Sequence, residues 1–353
     1  MESDVYFIRV ESPDTQERLA GLKKLLHKLE PDLKYGKDEF VPVKLTIGDS
    51  TCVYHLSPRL VKTVVTQVKN KGAKPFLFDT CVIYKGARQN AVDHLNLAQS
   101  KGFTHGRTGA PFIIADGLFG QDGREFKIGA GHINKIKVPS FVGMLENLLV
   151  LTHVTGHIVA HYAGAIKNVA MGMSCRATKQ IQHSSLRPSV IANKCHACGC
   201  CMAICPAQAI SFVKDKAFID QKYCLGCGEC ICACKFDCIY INWHEDPHIF
   251  SKRMAEVANF IIPKFKNKFF LNFAFDITKE CDCISTKDEK MAAQNLGILA
   301  SSDIVSLDKA TADLISAGEK GEFFRRKRGI YAGMLEHAQK IGLGNLDYNL
   351  IEL

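Results

Sequence analysis

Sixteen cysteines stand in this chain of 353 residues, and eight of them are spaced with a regularity that chance does not produce. "CHACGCCMAICP" carries Cys195, Cys198, Cys201 and Cys205, followed by Pro206, and "CLGCGECICACK" carries Cys224, Cys227, Cys230 and Cys234. Each stretch reads C-x2-C-x2-C-x3-C, and each cysteine of the second lies 29 residues after its counterpart in the first, the mark of an internal duplication. Three evenly spaced cysteines wrap three corners of an iron–sulfur cubane, and the fourth reaches the neighbouring cluster. The expected ligand sets are therefore crosswise. Cys195, Cys198, Cys201 and Cys234 hold one [4Fe–4S] cluster, and Cys224, Cys227, Cys230 and Cys205 hold the other. Structural zinc sites favour two CxxC pairs with a long spacer instead. Lys235 replaces the proline that follows the fourth cysteine in the first repeat, placing a charge near a cluster. Cys200, Cys232 and Cys238 fall outside the pattern and are expected to be small buried thiols.

A second pair of thiols lies far downstream, in "KECDCIS". Cys281 and Cys283 are i and i+2, so on a continuing strand they share one face about 7 Å apart, and a turn brings them closer. A disulfide across one residue is strained. Two thiols on one face can bind a metal or two corners of a third cluster, or can simply be buried. His153, His157 and His161 recur every four residues, which on a helix makes one stripe, although Gly156 and Gly164 weaken a helix there. His157 and His183 are the histidines expected to complete a second centre with Cys281 and Cys283. Lys167 and Asn168, in the Gly/Ala-rich "GAIKN", are candidate catalytic residues, with Lys167 suited to an anionic substrate or cofactor phosphate. Asp79 and Asp116 end apolar strand-like runs, and Asp303 either joins them or caps a helix.

These residues need a scaffold, and the flanking pattern supplies one. Strand-like runs ("VYFIRV", "FVPVKLTIG", "AKPFLFDT", "PFIIADG") alternate with helical ones, including "TQERLAGLKKLLHKLE" and "SPRLVKTVVTQVKNKG", which Ser57 and Pro58 open. That alternation predicts an α/β fold with a mostly parallel sheet and helices on both faces. "EFKIG", "NKIKV" and "NLLVLTHV" read as further strands. "GAGHIN" lacks the third glycine of a dinucleotide fingerprint. After the cysteine-dense stretch, "FSKRMAEVANFII" reads as a helix, "KFFLNFAFDI" as a buried strand, "ILASSDIVSLD" as strand and turn, and "YNLIEL" as a last strand. The predicted organisation is an α/β domain in two parts, 1–186 and 246–353. A small α+β ferredoxin-like 2[4Fe–4S] insert, 187–245, interrupts it.

Composition narrows the function class. The formal charge is +9, and two clusters at about −2 each lower it to about +5. Basic runs such as "FFRRKRG" come without a nucleic-acid motif, so docking of an acidic redox partner is the expected role rather than nucleic acid. No apolar run reaches the ~20 residues of a membrane span, and the acidic start is unlike a secretory signal. A cytoplasmic protein is expected.

Around the cysteine module, "GAKPFLFDT", "GAPFIIADGLFGQDG", "LTHVTGHIVAHYAGAIKNVAMGM", "FAFDITKECDC" and "GILASSDIVSLDKA" occur in that order. Together they resemble the DUF362 family, over nearly the whole chain. The resemblance implies a bacterial or archaeal, mostly anaerobic redox protein, and implies no substrate. The family pattern tends to place a cysteine where Met173 stands and a small polar residue where Cys175 stands, so no role carries over to Cys175. The function expected is an iron–sulfur oxidoreductase whose two clusters exchange single electrons with a site at Lys167, Asn168, Cys281 and Cys283. Its partners would be a redox protein and a small-molecule substrate. The alternatives are a dedicated carrier whose α/β domain docks a partner enzyme, and an α/β domain that binds a flavin.

Overall fold

The computed structural model describes residues 2–183, 187–224, 226, 228–240, 246–318 and 320–353, without the side chains of Ala130 and Cys232. The first half runs β1 (Ser3–Arg9), α1 (Thr15–Leu29), β2 (Phe40–Lys44), α2 (Pro58–Asn70), β3 (Lys74–Asp79), α3 (Ala91–Ser100), α4 (His105–Thr108) and β4 (Phe112–Ile114). Then come β5 (Arg124–Ala130), β6 (Ile133–Val138), β7 (Asn147–His153), α5 (Ala165–Gly172) and α6 (Arg176–His183). The cysteine-rich stretch holds β8 (Ser189–Val190), α7 (Cys200–Ile204), β9 (Ile210–Val213), β10 (Lys216–Ile219), α8 (Glu229–Ala233) and β11 (Ile239–Tyr240). The chain closes with α9 (Pro247–Ile261), β12 (Asn267–Ala274), β13 (Gly297–Ser301), α10 (Ile304–Ala317), α11 (Glu322–Arg326), α12 (Arg328–Lys340) and β14 (Tyr348–Glu352).

Eight strands form one sheet in the order β14–β1–β13–β12–β7–β2–β3–β4. Five of its seven neighbouring pairs are parallel, and β13 alone runs against its neighbours. The fold is therefore α/β with a mostly parallel sheet. Strands from both ends of the sequence share it, because β1 pairs with β14 and β7 lies between β12 and β2. The central strands are apolar on both faces, as a sheet covered twice requires. In β7, Leu148 and Val150 enter one core while Leu149 and Leu151 enter the other. Helices α1 and α2 cover the second face, and α5, α9, α10 and α12 cover the first.

β5 and β6, strands as expected, form a separate antiparallel hairpin outside the main sheet. Two expectations are corrected. "ILASSDIVSLD" is not strand and turn. β13 ends at Ser301, and α10 starts after Asp303, whose carboxylate accepts from the Val305 and Ser306 N–H groups. The helix escaped reading because every residue from Ile304 to Asp308 is buried, leaving no polar face to reveal its period. No helix covers the three-histidine stretch either. His153 ends β7, and residues 155 and 163 close a short bridge.

In the insert, β8 pairs with β11 and β9 with β10, both antiparallel. The duplication extends to the backbone. Ala197, Gly199 and Gln208 have positive φ (52°, 76° and 49°), and so do their counterparts 29 residues on, Gly226, Gly228 and Asp237 (68°, 75° and 50°). Gly199 and Gly228 each turn a cysteine loop into the short helix that follows it.

Helix α5 lacks a cap of its own, and a distant residue provides one. The buried Asp308 of α10 accepts from the N–H groups of Ala165 (2.8 Å) and Ile166 (2.9 Å). Burial raises its pKa to about 6, against the pull of its hydrogen bonds. A raised carboxyl pKa gives stability that is present below about pH 4 and lost as pH rises through about 6. Asp308→Ala should lower unfolding stability by roughly 2–4 kcal/mol, since two buried N–H groups lose their partner. It should also flatten the stability profile between those pH values. Denaturant unfolding at pH 4 and pH 7 checks both, and an unchanged midpoint would show that α5 does not depend on Asp308.

Candidate functional site

The cysteines of the insert gather around two hollows. Cys195, Cys198, Cys201 and Cys234 line one, and Cys205, Cys224 and Cys230 line the other. Cys227 lies outside the described residues. Backbone N–H groups point at the sulfurs. Ala217 and Ala197 donate to Cys195 Sγ (3.3 and 3.5 Å), Ala209 to Cys205 Sγ (3.3 Å), and Gly226 to Cys224 Sγ (3.4 Å). Such donors stabilise a thiolate, and the Ala217 N–H leads the causes that lower the pKa of Cys195. Crosswise cysteines with N–H groups aimed at sulfur fit a cluster at each hollow. Cys238 is buried, its Sγ 3.3 Å from that of Cys234, while Cys200 is only half-buried.

In the α/β part, a cavity of about 720 Å³ opens at the carboxyl ends of β2, β3 and β7, where open α/β sheets place ligands. Lys167, Asn168, His157, His183, Cys281, Cys283 and Asp79 all line it. Asp116, Asp303, Cys175 and His161 do not. Asp116 accepts from the Cys81 N–H (2.9 Å), and burial raises its pKa to about 7. Burial pushes the Cys175 thiol up to about 12.

The strand does not continue into "CDC". β12 stops at Ala274, and residues 281–285 form a turn in which Ile284 and Ser285 donate to the Cys281 carbonyl (both 3.0 Å). The turn brings the two thiols into hydrogen-bond contact, where they share a proton. The Cys281 hydrogen bond lowers the pKa of Cys283 well below the ordinary thiol value, and the charges of Lys167 and Arg88 add to this. Arg88 Nη2 lies 3.3 Å from Cys283 Sγ. Cys281 is driven the opposite way by the same bond and by burial. The two sulfurs are thus driven apart, Cys283 toward the thiolate and Cys281 toward the thiol.

Asp282, between them, fixes the turn. Its carboxylate lies 2.9 Å from His153 Nδ1, and its carbonyl accepts from the Asp49 N–H (2.9 Å). His153 Nε2 donates to the Phe275 carbonyl (2.8 Å). Both nitrogens of His153 are thus engaged. His157 Nδ1 accepts from the N–H groups of Val159 and Ala160 (3.1 and 3.0 Å), so its proton is on Nε2 and neither nitrogen offers a lone pair to a metal. His157 and His183 both lie against the Phe250 ring, and burial, with the Lys167 charge, lowers both pKa values, His183 to about 3. Although they share a cavity, His157, His183, Cys281 and Cys283 are not drawn into a single-ion shell. Among the described residues, the ligand atoms gathered to within 4.8 Å belong to His132, Glu256 and His337.

Asn168 acts as a clamp. Its Oδ1 accepts from Lys44 Nζ (2.9 Å), and its Nδ2 donates to the Leu151 carbonyl and to Thr152 Oγ1 (both 3.0 Å). Lys44 in turn pairs with Asp79 (2.9 Å), and Arg88 lies 3.6 Å from the same carboxylate and 3.5 Å from Asp49. Burial works against the Asp79 charge, but these cations hold its pKa at about 2. Gly172 leaves space for Lys44 rather than for a ligand, since a Cβ there would lie 2.2 Å from Lys44 Cε. Lys44, Arg88 and Lys179 went unread as site residues. The signal for Lys44 was present, because a lysine inside "FVPVKLTIG" is a charge in a buried strand. Lys167 differs from these cations. Among the described residues no carboxylate lies within ion-pair distance of it.

Helix α6 connects the two regions. Arg176 reaches the insert through a buried pair with Glu229 (2.8 Å), and Gln180 packs against Gly226 and Gly228 of the second cysteine loop. Lys179 and His183, on the adjoining stripe of the same helix, line the cavity.

The family model described as "Domain of unknown function (DUF362)" matches residues 41–313, and the chain belongs to that family. Curated relatives match over short regions. The "Ferredoxin-like protein in nif region" of Rhizobium leguminosarum bv. trifolii is 45% identical over 38 residues, covering 11% of this chain and 59% of the relative. "Putative oxidoreductase AegA" of Escherichia coli (strain K12) is 36% identical over 61 residues, 17% of this chain and 9% of the relative. This chain therefore spans less than two thirds of either. A solved structure, the lactate racemase apoprotein from Thermoanaerobacterium thermosaccharolyticum, aligns with 12% identity and a TM-score of 0.34, covering 77% of this chain and 51% of that one. No described helix is long and apolar enough to cross a membrane.

The thiolate at Cys283 is directly measurable. Its alkylation by iodoacetamide, read by peptide mass spectrometry, should stay near its plateau well below the ordinary thiol pKa of about 8.5. Lys167→Met and Arg88→Gln should each raise the midpoint by about 1 unit or more. A wild-type midpoint at the ordinary thiol value would overturn this placement of the charge.

Proposed function

We propose that this chain is an iron–sulfur oxidoreductase in which the insert holds two [4Fe–4S] clusters and the cavity at Cys281 and Cys283 is where a small anionic substrate meets their electrons. The observation that carries this reading is α6, one helix that touches the second cysteine loop with Arg176 and Gln180 and the cavity with Lys179 and His183. The relatives named as ferredoxin-like and as an oxidoreductase support the redox part. When bound, the clusters supply electrons singly and at low potential.

The protein's own residues would do the rest. Lys167, with no carboxylate within ion-pair distance among the described residues, attracts an anion to the cavity, and Arg88 holds the Cys283 thiolate. Cys281 keeps a proton next to that thiolate and can release it to a substrate as charge builds there. The Asp282–His153 contact keeps the turn in place while the proton moves. Apolar walls, among them Val82, Ile83 and Met171, limit water and strengthen each of these charges.

The second reading, a carrier whose α/β part docks a partner enzyme, is separated from the first by one experiment. Protein purified without oxygen should contain about eight irons and eight sulfides, both as wild type and as Cys281→Ser/Cys283→Ser. After reduction, a panel of small anionic oxidants should include one that reoxidises the wild type at least tenfold faster than the variant. Equal reoxidation across the panel, with iron content unchanged, would favour the carrier. More than eight irons, falling in the variant, would instead place a third centre on the pair.

A further inference from the structure

We propose that His132, Glu256 and His337 form a binding site for one divalent transition-metal ion, Zn²⁺ being the natural occupant of such a donor set, separate from the cysteine hollows and from the cavity. The three side chains come from distant parts of the chain: the turn between β5 and β6, the middle of α9, and the last part of α12. Glu256 Oε1 lies 2.8 Å from His132 Nδ1 and 3.1 Å from His337 Nε2, and all three ligand atoms fall within 4.8 Å of one another. A tetrahedral zinc ion with bonds of about 2.0–2.1 Å separates its ligand atoms by roughly 3.3 Å, so a small shift of the two rings admits the ion.

Three further features favour a cation over a simple hydrogen-bonded trio. The Glu256 side chain is 1% exposed, and among the described residues its ion-pair partners are these two histidines, with no lysine or arginine in range. A buried carboxylate calls for a compensating positive charge. The second oxygen of Glu256, which the ion would leave free, already accepts from the backbone N–H of His132 (3.0 Å), the kind of outer contact that orients a carboxylate ligand. Gly131 has φ +58°, and a Cβ on it would lie 2.2 Å from Glu256 Oε1, so glycine is what lets the turn bring His132 onto the carboxylate. This accounts for Gly131 of "GAGHIN". Because His132 is exposed, water would complete the shell. Two imidazoles, one carboxylate and no thiolate make a harder donor set than the cysteine sites offer.

The test uses the full chain as isolated without oxygen, dialysed against chelator and titrated with Zn²⁺ alone. Wild type should take up one equivalent more than His132→Ala and one more than Glu256→Gln, with visible absorbance the same in all three. X-ray absorption at the zinc edge should show the added equivalent with N/O neighbours at about 2.0–2.1 Å and no sulfur at about 2.3 Å. Equal uptake by wild type and His132→Ala, whose exposed position spares the fold, would overturn the site. A sulfur shell would overturn it as well, assigning the zinc to the thiols.

Discussion

The cavity depends on a buried charge cluster, Lys44 and Arg88 against Asp79, at the carboxyl ends of β2 and β3. Taking such charges out of water costs several kcal/mol each, and only tight pairing offsets that. The pairing therefore dictates local geometry. Lys44 must face Asp79 across the parallel pair, which fixes the register of β2 against β3. Asn168 must meet Lys44 and the end of β7 together, which fixes α5 over the sheet. Arg88 must lie close enough to Asp79 to satisfy it, and from there its other nitrogen reaches Cys283. The charge that stabilises the sheet ends thus also adds to the Cys281 hydrogen bond and the Lys167 charge in favouring a thiolate at Cys283.

The same cluster explains why two thiols in one turn behave differently. Both lie near Lys167, but Arg88 donates to Cys283 alone, while Cys281 is the more deeply buried of the two. A single proton shared between them settles on the sulfur with less positive charge around it. Asp282 could have upset this by adding a negative charge at the same turn, but its carboxylate is taken up by His153.

Legibility in the sequence followed how local each constraint is. The cysteine loops are close to self-sufficient, since spacing and glycines at fixed offsets determine them, and the seven described cysteines of the two repeats line the two hollows crosswise. The main sheet was legible because β2, β3 and β7 are short apolar runs between turn signals, and α2 announced itself with Ser57 and Pro58. Helix α6 was not, because it buries Arg176, Lys179, Gln180 and Gln182, polar residues whose partners lie on other elements. For the same reason the hydrogen-bond partners of Asn168 and His157 are not legible in the sequence. Their hydrogen bonds run to Lys44, to β7 and to backbone N–H groups, none of which the neighbouring residues reveal. The pair in "CDC" was found by residue type alone, but its turn and the part played by Asp282 belong to tertiary structure.

What the scaffold does for the insert follows from where the insert is attached. It enters after α6 and leaves before α9, and these helices contact each other as well as the sheet's first face. Both ends of the insert are therefore tethered to one packed layer. The buried pair Arg176–Glu229 adds a third tether inside the second cysteine loop. The Arg176–Glu229 pair holds the cysteine-rich module to α6 independently of its two points of attachment. The second hollow is thereby kept against α6, whose next turn forms a wall of the cavity. On the proposed reading, this one helix is what would separate the loop of Cys224 and Cys230 from an acceptor in the cavity.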